Sequence, residues 1–435
     1  MPSKAFRVLL ILSALLTTAA FGATEEVVYN FQGGADGGDP YQSGLVMDKS
    51  GNLYGITSKG GKGKVAQCFG EGCGFVYQLT PTQGGGWTKT NLHSFSGGTD
   101  GGDPVGNLAI DAKGDLYGVT EQGGTGFCNS ILGLGCGVVF RLSHNNKGQW
   151  SFSVIFDLGT GNFNGQTPNA GVVFDQAGNL YGTTEFGGDF FCGCGVVYEL
   201  TPVKNAHWTA TTLYTFVGIS QGGSDVSFPS SDVFIDANGN IFGTGSGGGD
   251  VNCNDGCGGV YELVRQNDGS YQEQVLNIFH GGKDGFVPVG SVVVDPQGNV
   301  YGTTEFGGGR FGCHDGAYGC GTVFELQKSG TTYQEQIIFR FNGANGYAPV
   351  ADLYLDSNNT LYSTTVSGGA FGNGTAFSLA NPKGKWKETI LHSFGNGQDG
   401  SSSWASLLSD GQGGFYGTTR FGGTAGNGTV FHLAP

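Results

Sequence analysis

The chain has 435 residues, of which 86 are Gly and only 13% are charged, against about 7% Gly and about 25% charged residues in ordinary soluble domains. Its 38% hydrophobic and 12% aromatic residues are regularly spaced and exclude a disordered chain. A formal net charge of −15 with no basic cluster excludes nucleic acid as an expected partner, because a phosphate backbone would be repelled.

The N-terminus reads as a secretory signal peptide over residues 1–22. Lys4 and Arg7 supply the positive start, residues 8–16 the apolar core, and Ala20, Phe21 and Gly22 a small-x-small cleavage site. Removal of those two cations takes the net charge from −15 to −17. The apolar run is too short to span a bilayer, and no later stretch is a transmembrane candidate. The first cysteine is Cys68, so no cysteine stands near the cleavage region for lipid attachment. The expected location is secreted, extracellular or periplasmic.

From about residue 25 a single pattern repeats. An Asp stands six residues before an aromatic at Asp48/Tyr54, Asp111/Tyr117, Asp175/Tyr181, Asp236/Phe242, Asp295/Tyr301, Asp356/Tyr362 and Asp410/Tyr416, and a Gly pair follows each aromatic at +6 and +7. Successive aromatics lie 63, 64, 61, 59, 61 and 54 residues apart. Each unit holds four short β-type runs between Gly-rich turns and no helical period. In the fifth unit the runs are residues 292–294, 300–304, 322–326 and 333–341. Seven such units predict an all-β fold, a seven-bladed β-propeller of four-stranded blades. It forms one domain over 23–435, with units at roughly 25–87, 88–150, 151–207, 208–270, 271–332, 333–385 and 386–435.

Strand order within a blade follows from side-chain size. Five residues before each Asp sits a tiny residue (Ser43, Gly106, Ala170, Ser231, Gly290, Ala351, Ala405), as the crowded innermost strand requires. The third strand carries an aromatic-x-Leu pattern, from Tyr77/Leu79 to Phe431/Leu433, and the outermost strand ends near Phe95, Phe156, Phe216, Phe279, Phe341 and Phe394. Residues 27–31 have the outer-strand pattern, whereas the last strand, 429–433, has that of a third strand. The N-terminal strand is therefore expected to complete the last blade and close the ring, leaving no free edge.

The ten cysteines form five local pairs, Cys68/Cys73, Cys128/Cys136, Cys192/Cys194, Cys253/Cys257 and Cys313/Cys320, each between a Gly pair and a third strand. An even count in an exported chain points to disulfides, and the irregular spacing does not suit zinc. Cys192 and Cys194 leave two outcomes open, a strained bridge or a reduced pair.

Propeller connectivity puts the loops between blades and the second-to-third-strand loops on one face, where length and composition vary. Repeat arrays usually bind on such a face. Its Asp-Gly loops, with Asp36, Asp39, Asp100 and Asp103, could hold calcium or simply form turns. No other cofactor is expected. Departures from the repeat are the better candidates for a ligand site. Four residues after the aromatic stand Glu121, Glu185, Glu305 and Arg420, and early in the innermost strand stand Asp232 and Asp352. All six point toward the mouth of the central channel, where they could bind a polar ligand or meet only neighbouring blades and solvent. No nucleophile elbow, zinc-hydrolase motif or phosphate loop is present, so no catalytic residue is assigned.

Residues 178–188, Gly-Asn-Leu-Tyr-Gly-Thr-Thr-Glu-Phe-Gly-Gly, followed by 194–202, Cys-Gly-Val-Val-Tyr-Glu-Leu-Thr-Pro, closely resemble the GloVer tandem repeat of secreted bacterial proteins. The resemblance covers essentially the whole chain after the signal peptide. It implies an exported, propeller-like repeat protein and carries over no catalytic residue. Relatives that add a C-terminal sorting or anchoring segment differ from this chain, which runs to Pro435, and a soluble protein is expected.

The resulting expectation is a monomeric, non-catalytic binding or interaction protein. Its acidic, disulfide-clipped loop face would hold a glycan, a peptide or a protein. The alternatives are an extracellular polysaccharide lyase or hydrolase with a central-channel site, and a structural cell-envelope protein.

Overall fold

The computed structural model describes residues 23–435 except 62–67, 69, 129–134, 204–206, 220–224, 251–252, 254, 310–312 and 314–317. The signal-peptide reading of residues 1–22 therefore lies outside the described residues. The chain folds into seven four-stranded antiparallel sheets, each ordered from an inner strand, short in every blade but the second, to a long outer one. The structure is a seven-bladed β-propeller. In blade five the strands are Val293–Val294, Val300–Thr304, Thr322–Ser329 and Thr332–Arg340. Among the described residues no helix is long and apolar enough to cross a membrane.

Blade seven closes the ring as the strand patterns require. Its sheet runs Leu408–Ser409, Phe415–Thr419, Thr429–Ala434 and then Thr24–Asn30. The N-terminal strand pairs antiparallel with the last one, from Thr24 opposite Ala434 to Asn30 opposite Thr429.

Each blade alone is a thin sheet, so its apolar side chains are buried against its neighbours. Seven hydrophobic clusters result, one in each seam between adjacent blades. The third-strand aromatic (Tyr77, Phe140, Tyr198, Tyr261, Phe324, Phe377 or Phe431) is fully buried in every blade. Near the axis the tiny residues are required by contact. A Cβ on Gly106 would collide with the backbone nitrogen of Gly171 in the next blade.

The repeated Asp caps the turn between the first and second strands. Asp295 accepts the amides of Gln297 (2.9 Å) and Asn299 (2.8 Å), the Asn299 side-chain amide (2.8 Å) and the Tyr301 hydroxyl (3.2 Å). One outer-strand assignment needs correction. The amide that bonds to the Gly carbonyl at the head of the third strand belongs to Leu158 in blade two, where Phe95, Phe216, Phe279, Phe341, Phe394 and Phe31 serve elsewhere. Leu158 is fully buried and Phe156 is not, because the outer strand of blade two runs on to Asp157.

All five cysteine pairs are bonded, Cys192 with Cys194 included.

Candidate functional site: the vestibule of the loop face

The loop face is built on a backbone feature that recurs seven times. Asp39, Asp103, Thr167, Phe228, Val287, Ala348 and Ser402, one ahead of each innermost strand, all have left-handed backbones with φ of 54–57°. Such a conformation costs a non-Gly residue roughly 1–3 kcal/mol and persists only where surrounding bonds impose it. Those bonds run between blades. Each of the seven amides donates to a carbonyl in the preceding blade, that of Cys73, Cys136, Cys194, Cys257, Cys320, Asn373 or Asn427, at 2.9–3.2 Å. The disulfides thus clip the loops that hold these anchoring carbonyls. In blades six and seven, which lack cysteines, Asn takes the position.

The left-handed residue in turn receives the amide of the residue four places after the aromatic. Glu185 donates to Thr167 (3.1 Å), Glu305 to Val287 (3.0 Å) and Arg420 to Ser402 (3.0 Å). In blade two, Asp103 faces Glu121 between the paired residues Gly102/Gln122 and Pro104/Thr120. Glu121, Glu185, Glu305 and Arg420 therefore stand at equivalent points of one ring. Tyr41 lies among them, and all four charges act on its hydroxyl, which burial pushes up to about 12.

Electrostatically the ring is lopsided. Arg420 bonds Asp39 through Nε (2.8 Å) and Nη2 (3.3 Å), and its guanidinium lies over Tyr41, 4.5 Å from the ring centre. Asp39 also meets Lys59 at 3.4 Å. Among the described residues the glutamates have no such partner. Burial lifts Glu305 to about 7. Burial, then the charge of Glu185, raises Glu121. Glu185 is raised by burial despite a 3.4 Å hydrogen bond from Asn169. Burial and the charge of Glu121 also lift Asp103 to about 7.

Below this ring the channel is closed. Asp232 and Asp352 meet across the axis through Asn107, whose Nδ2 donates to Asp232 Oδ2 (2.7 Å) and Asp352 Oδ2 (3.0 Å). The remaining carboxylate oxygens are also engaged. Asp232 Oδ1 accepts the Gly171 amide (2.6 Å), and Asp352 Oδ1 accepts the Ser291 amide (2.7 Å) and hydroxyl (2.6 Å). Asn107 Oδ1 takes the Gly44 amide (2.7 Å) and the Ser406 hydroxyl (3.2 Å). Burial, reinforced by the Asp352 charge, raises Asp232. These two aspartates are the floor of the vestibule, tied into the scaffold.

The Asp-Gly loop carboxylates are divided between two places. Asp39 and Asp103 sit in the left-handed ring. Asp36 and Asp100 sit in the outer seams, where Asp36 accepts from Tyr29 (2.7 Å), Gln32 N (2.8 Å) and Lys89 (3.2 Å). Asp100 takes the Ser96 amide (3.1 Å) and contacts His93 (3.2 Å). Among the described residues no group of three or more His, Cys, Asp or Glu side chains could hold a metal ion.

An incomplete apolar crown lies on the loop face, drawn from blades two, three, five, six and seven. Phe127, Phe186, Phe190, Phe191, Tyr318, Phe371 and Phe421 are exposed, Phe190 at 94% and Phe127 at 85%. All seven follow a second strand or lie in a second-to-third-strand loop, and so share this face. Two clefts of comparable size flank the structure. One, of about 420 Å³, opens on the loop face between blades seven and one beside Asp39, Lys59, Glu71 and Arg420. The other, of about 470 Å³, lies on the opposite face between the Asp48 and Asp111 turns, whose polar groups are engaged in the scaffold.

Reasoning from sequence picked out Asp232, Asp352 and the three glutamates but passed over Asn107, Tyr41 and Trp404. Asn107 occupies the same alignment column as Asp232 and Asp352, and that was the available signal.

The fold and this vestibule define a seven-bladed propeller with a closed throat and an acidic, aromatic-rimmed mouth. The model of the Gloeobacter/Verrucomicrobia repeat family matches residues 15–249, 126–313 and 311–435, and the chain belongs to that family. No curated protein matches it. Among solved structures it is similar to a protein of unknown function from Dyadobacter fermentans, at 12% identity and a TM-score of 0.43, over 95% of this chain and 99% of that one. It is also similar to a putative 6-phosphogluconolactonase from Bacteroides uniformis, at 14% identity and a TM-score of 0.48, over 79% of this chain and 84% of that one.

Proposed function

We propose that the protein is an exported, non-catalytic binding protein whose loop face holds a partner polypeptide that is both basic and apolar. The observation carrying this reading is the crown of seven exposed aromatics, confined to the face that also bears the unpaired glutamates. Exposed apolar groups gathered on one face mark an interaction surface. Six of the seven are Phe, which lacks the polar edge that Tyr and Trp offer a sugar hydroxyl, and this favours a polypeptide over a glycan. Glu121, Glu185 and Glu305, held without cationic partners, supply the charge complement. The five bonded cysteine pairs support an oxidising location.

The test is a selection of displayed random peptides on the purified protein. Enriched sequences should combine Lys or Arg with large apolar residues, and the double variant Phe190→Ser/Phe191→Ser should weaken their binding at least about tenfold, as loss of anchor residues does. Enrichment without charge or apolar bias, or binding indifferent to the double variant, would sink the reading. So would polysaccharide cleavage abolished by Glu305→Gln, the result expected of the enzymatic alternative.

A further inference from the structure

Between the glutamate ring and the Asn107 floor lies a small pocket of about 30 Å³, open toward the vestibule and lined by Gln42, Asn169, Ser230, Asp232, Asp352 and Trp404 among others. Its lining includes two polar atoms with no partner among the described residues. Ser230 is only 8% exposed, yet its Oγ makes no hydrogen bond, and Gln42 Oε1 is likewise buried and unpartnered. A buried polar group left unsatisfied costs roughly 1–3 kcal/mol, and here two face one void. Gln42 is held there by a left-handed backbone, φ 49°. Val289, Val350 and Trp404 line the remainder with apolar surface. The throat below and the ring above both carry carboxylates.

The void has room for one water-sized group. The open valences are acceptors, since an amide oxygen can only accept and a serine hydroxyl can do so. The surroundings are negative. Tyr41 and Trp404, with ring centres 5.1 Å apart, flank the approach with aromatic surface. A small head with several donors, a positive charge and a slim apolar stem answers all of these conditions. From this geometry we infer that the cavity is a receptor for a primary ammonium group, supplied by a lysine side chain of the partner. An ammonium carries three N–H donors, for Ser230 Oγ, Gln42 Oε1 and the carboxylates around them. The guanidinium of Arg holds its donors in a flat fork and a trimethylated ammonium has none, so neither answers these acceptors as a compact ammonium does. Within the vestibule the two cation types therefore divide, with the chain's own Arg420 on the Tyr41 face and the partner's lysine at the bottom. The inference rests on the polypeptide-binding reading above and narrows it to one anchoring residue.

The full chain is titrated with n-butylamine, n-butylguanidine and tetramethylammonium. The signal is 19F NMR of protein labelled with 5-fluorotryptophan, with the Trp404 resonance assigned from Trp404→Phe. Butylamine should saturate the Trp404 signal and bind at least about tenfold more tightly than the other two cations. Ser230→Val and, independently, Gln42→Met should each weaken it about tenfold, the effect of losing one hydrogen bond to a charged group. Should one variant fail to fold, the other gives the same readout. Equal affinity for all three cations, no saturable response to butylamine because water holds the cavity, or full binding by a folded variant would each overturn the inference. If selected peptides still bind through Phe190 and Phe191 while butylamine does not, the ammonium receptor alone is wrong. If butylamine binds but peptides ignore those residues, the fault lies with the polypeptide reading.

Discussion

At the scale of single residues, scaffold and site differ in whether a polar group is satisfied. Asp295 is 7% exposed and accepts four hydrogen bonds, so Asp295→Ala strands their donors and should destabilise the domain by about 3 kcal/mol in denaturant titration. Among the described residues the Glu305 carboxyl has no hydrogen-bond partner to lose, and it is lifted from an ordinary 4.5 to about 7. A group raised in the fold contributes its stability below its unfolded pKa and loses it as pH climbs through the folded value. Glu305→Gln should therefore match the parent near pH 5 and be more stable near pH 8, and a variant less stable at both would contradict the assigned burial. The seven-fold Asp and the break at Glu305 were legible by aligning the chain with itself. The bridging role of Asn107 was not, because its partners lie 125 and 245 residues away and meet it only across the closed ring. Nor was the left-handed backbone of Thr167 or Val287, since β-branched residues ordinarily avoid it and nothing in their identity announces it.

Between elements, the outer strands carry a second, more distal set of contacts. The outer-strand residue opposite the third-strand Leu meets the loop that enters its blade from the one before. In blade one this is an ordinary ion pair, Lys89 with Asp36. In blade four Glu273 faces Asp225, and the Tyr214 hydroxyl donates to Glu273 at 2.9 Å with Asp225 3.4 Å away. In blade five burial and the facing Asp284 raise Glu335, against the opposing influence of Asn277 and Arg340. In blade six Glu388 takes a 2.9 Å hydrogen bond from Asn345, and in blade seven Asp399 faces Glu25. All four glutamates are raised, Glu25 and Glu388 to about 7 by burial first, and Glu273 by burial and then Asp225. The sign is common to the set: protonation holds these seams, so the contribution is complete below about 4.5 and is lost as pH rises through about 7 and above. Thermal midpoints should fall from pH 6 to pH 9, and Glu273→Gln should flatten part of the slope. A midpoint rising over that range would refute the assignment. Strand number and order were legible from the aromatic-x-Leu frame, because every blade buries the same third-strand face. The seam partners were not, because each pair joins a strand to the preceding blade's loop, and spacing along the chain does not reveal which loop meets which strand.

For the whole molecule, what matters is that the array is closed. In an open repeat stack stability is close to a sum of local terms, and removing a terminal element weakens mainly its neighbour. Here Thr24–Asn30 is the outer strand of the last blade, and the residue after it enters the first seam. Phe31 is fully buried there with Leu45, Leu53, Tyr77, Leu79 and Val430, and its amide bonds the Gly428 carbonyl at 3.1 Å. The inner side of the same seam is held by Thr418 Oγ1, which donates to the Ser43 carbonyl at 3.0 Å. Deleting residues 25–31 would strip both the strand and its anchor, expose the edge of Thr429–Ala434, and open a ring whose throat depends on residues from four other blades meeting Asn107. The loss should therefore be felt far from the cut. Amide hydrogen exchange should accelerate in the strands of blade four, on the far side of the ring, as well as in blades one and seven, and the exposed edge should promote association between copies. Phe31→Ala is the milder test, expected to cost about 3–5 kcal/mol for a buried aromatic. If the deletion leaves blade four's exchange unchanged, the propeller behaves as an open stack and the N-terminal strand is dispensable. If blade four and the Asn107 floor loosen together, closure of the ring is what keeps the vestibule in shape, and the binding face depends on a strand that contributes no residue to it.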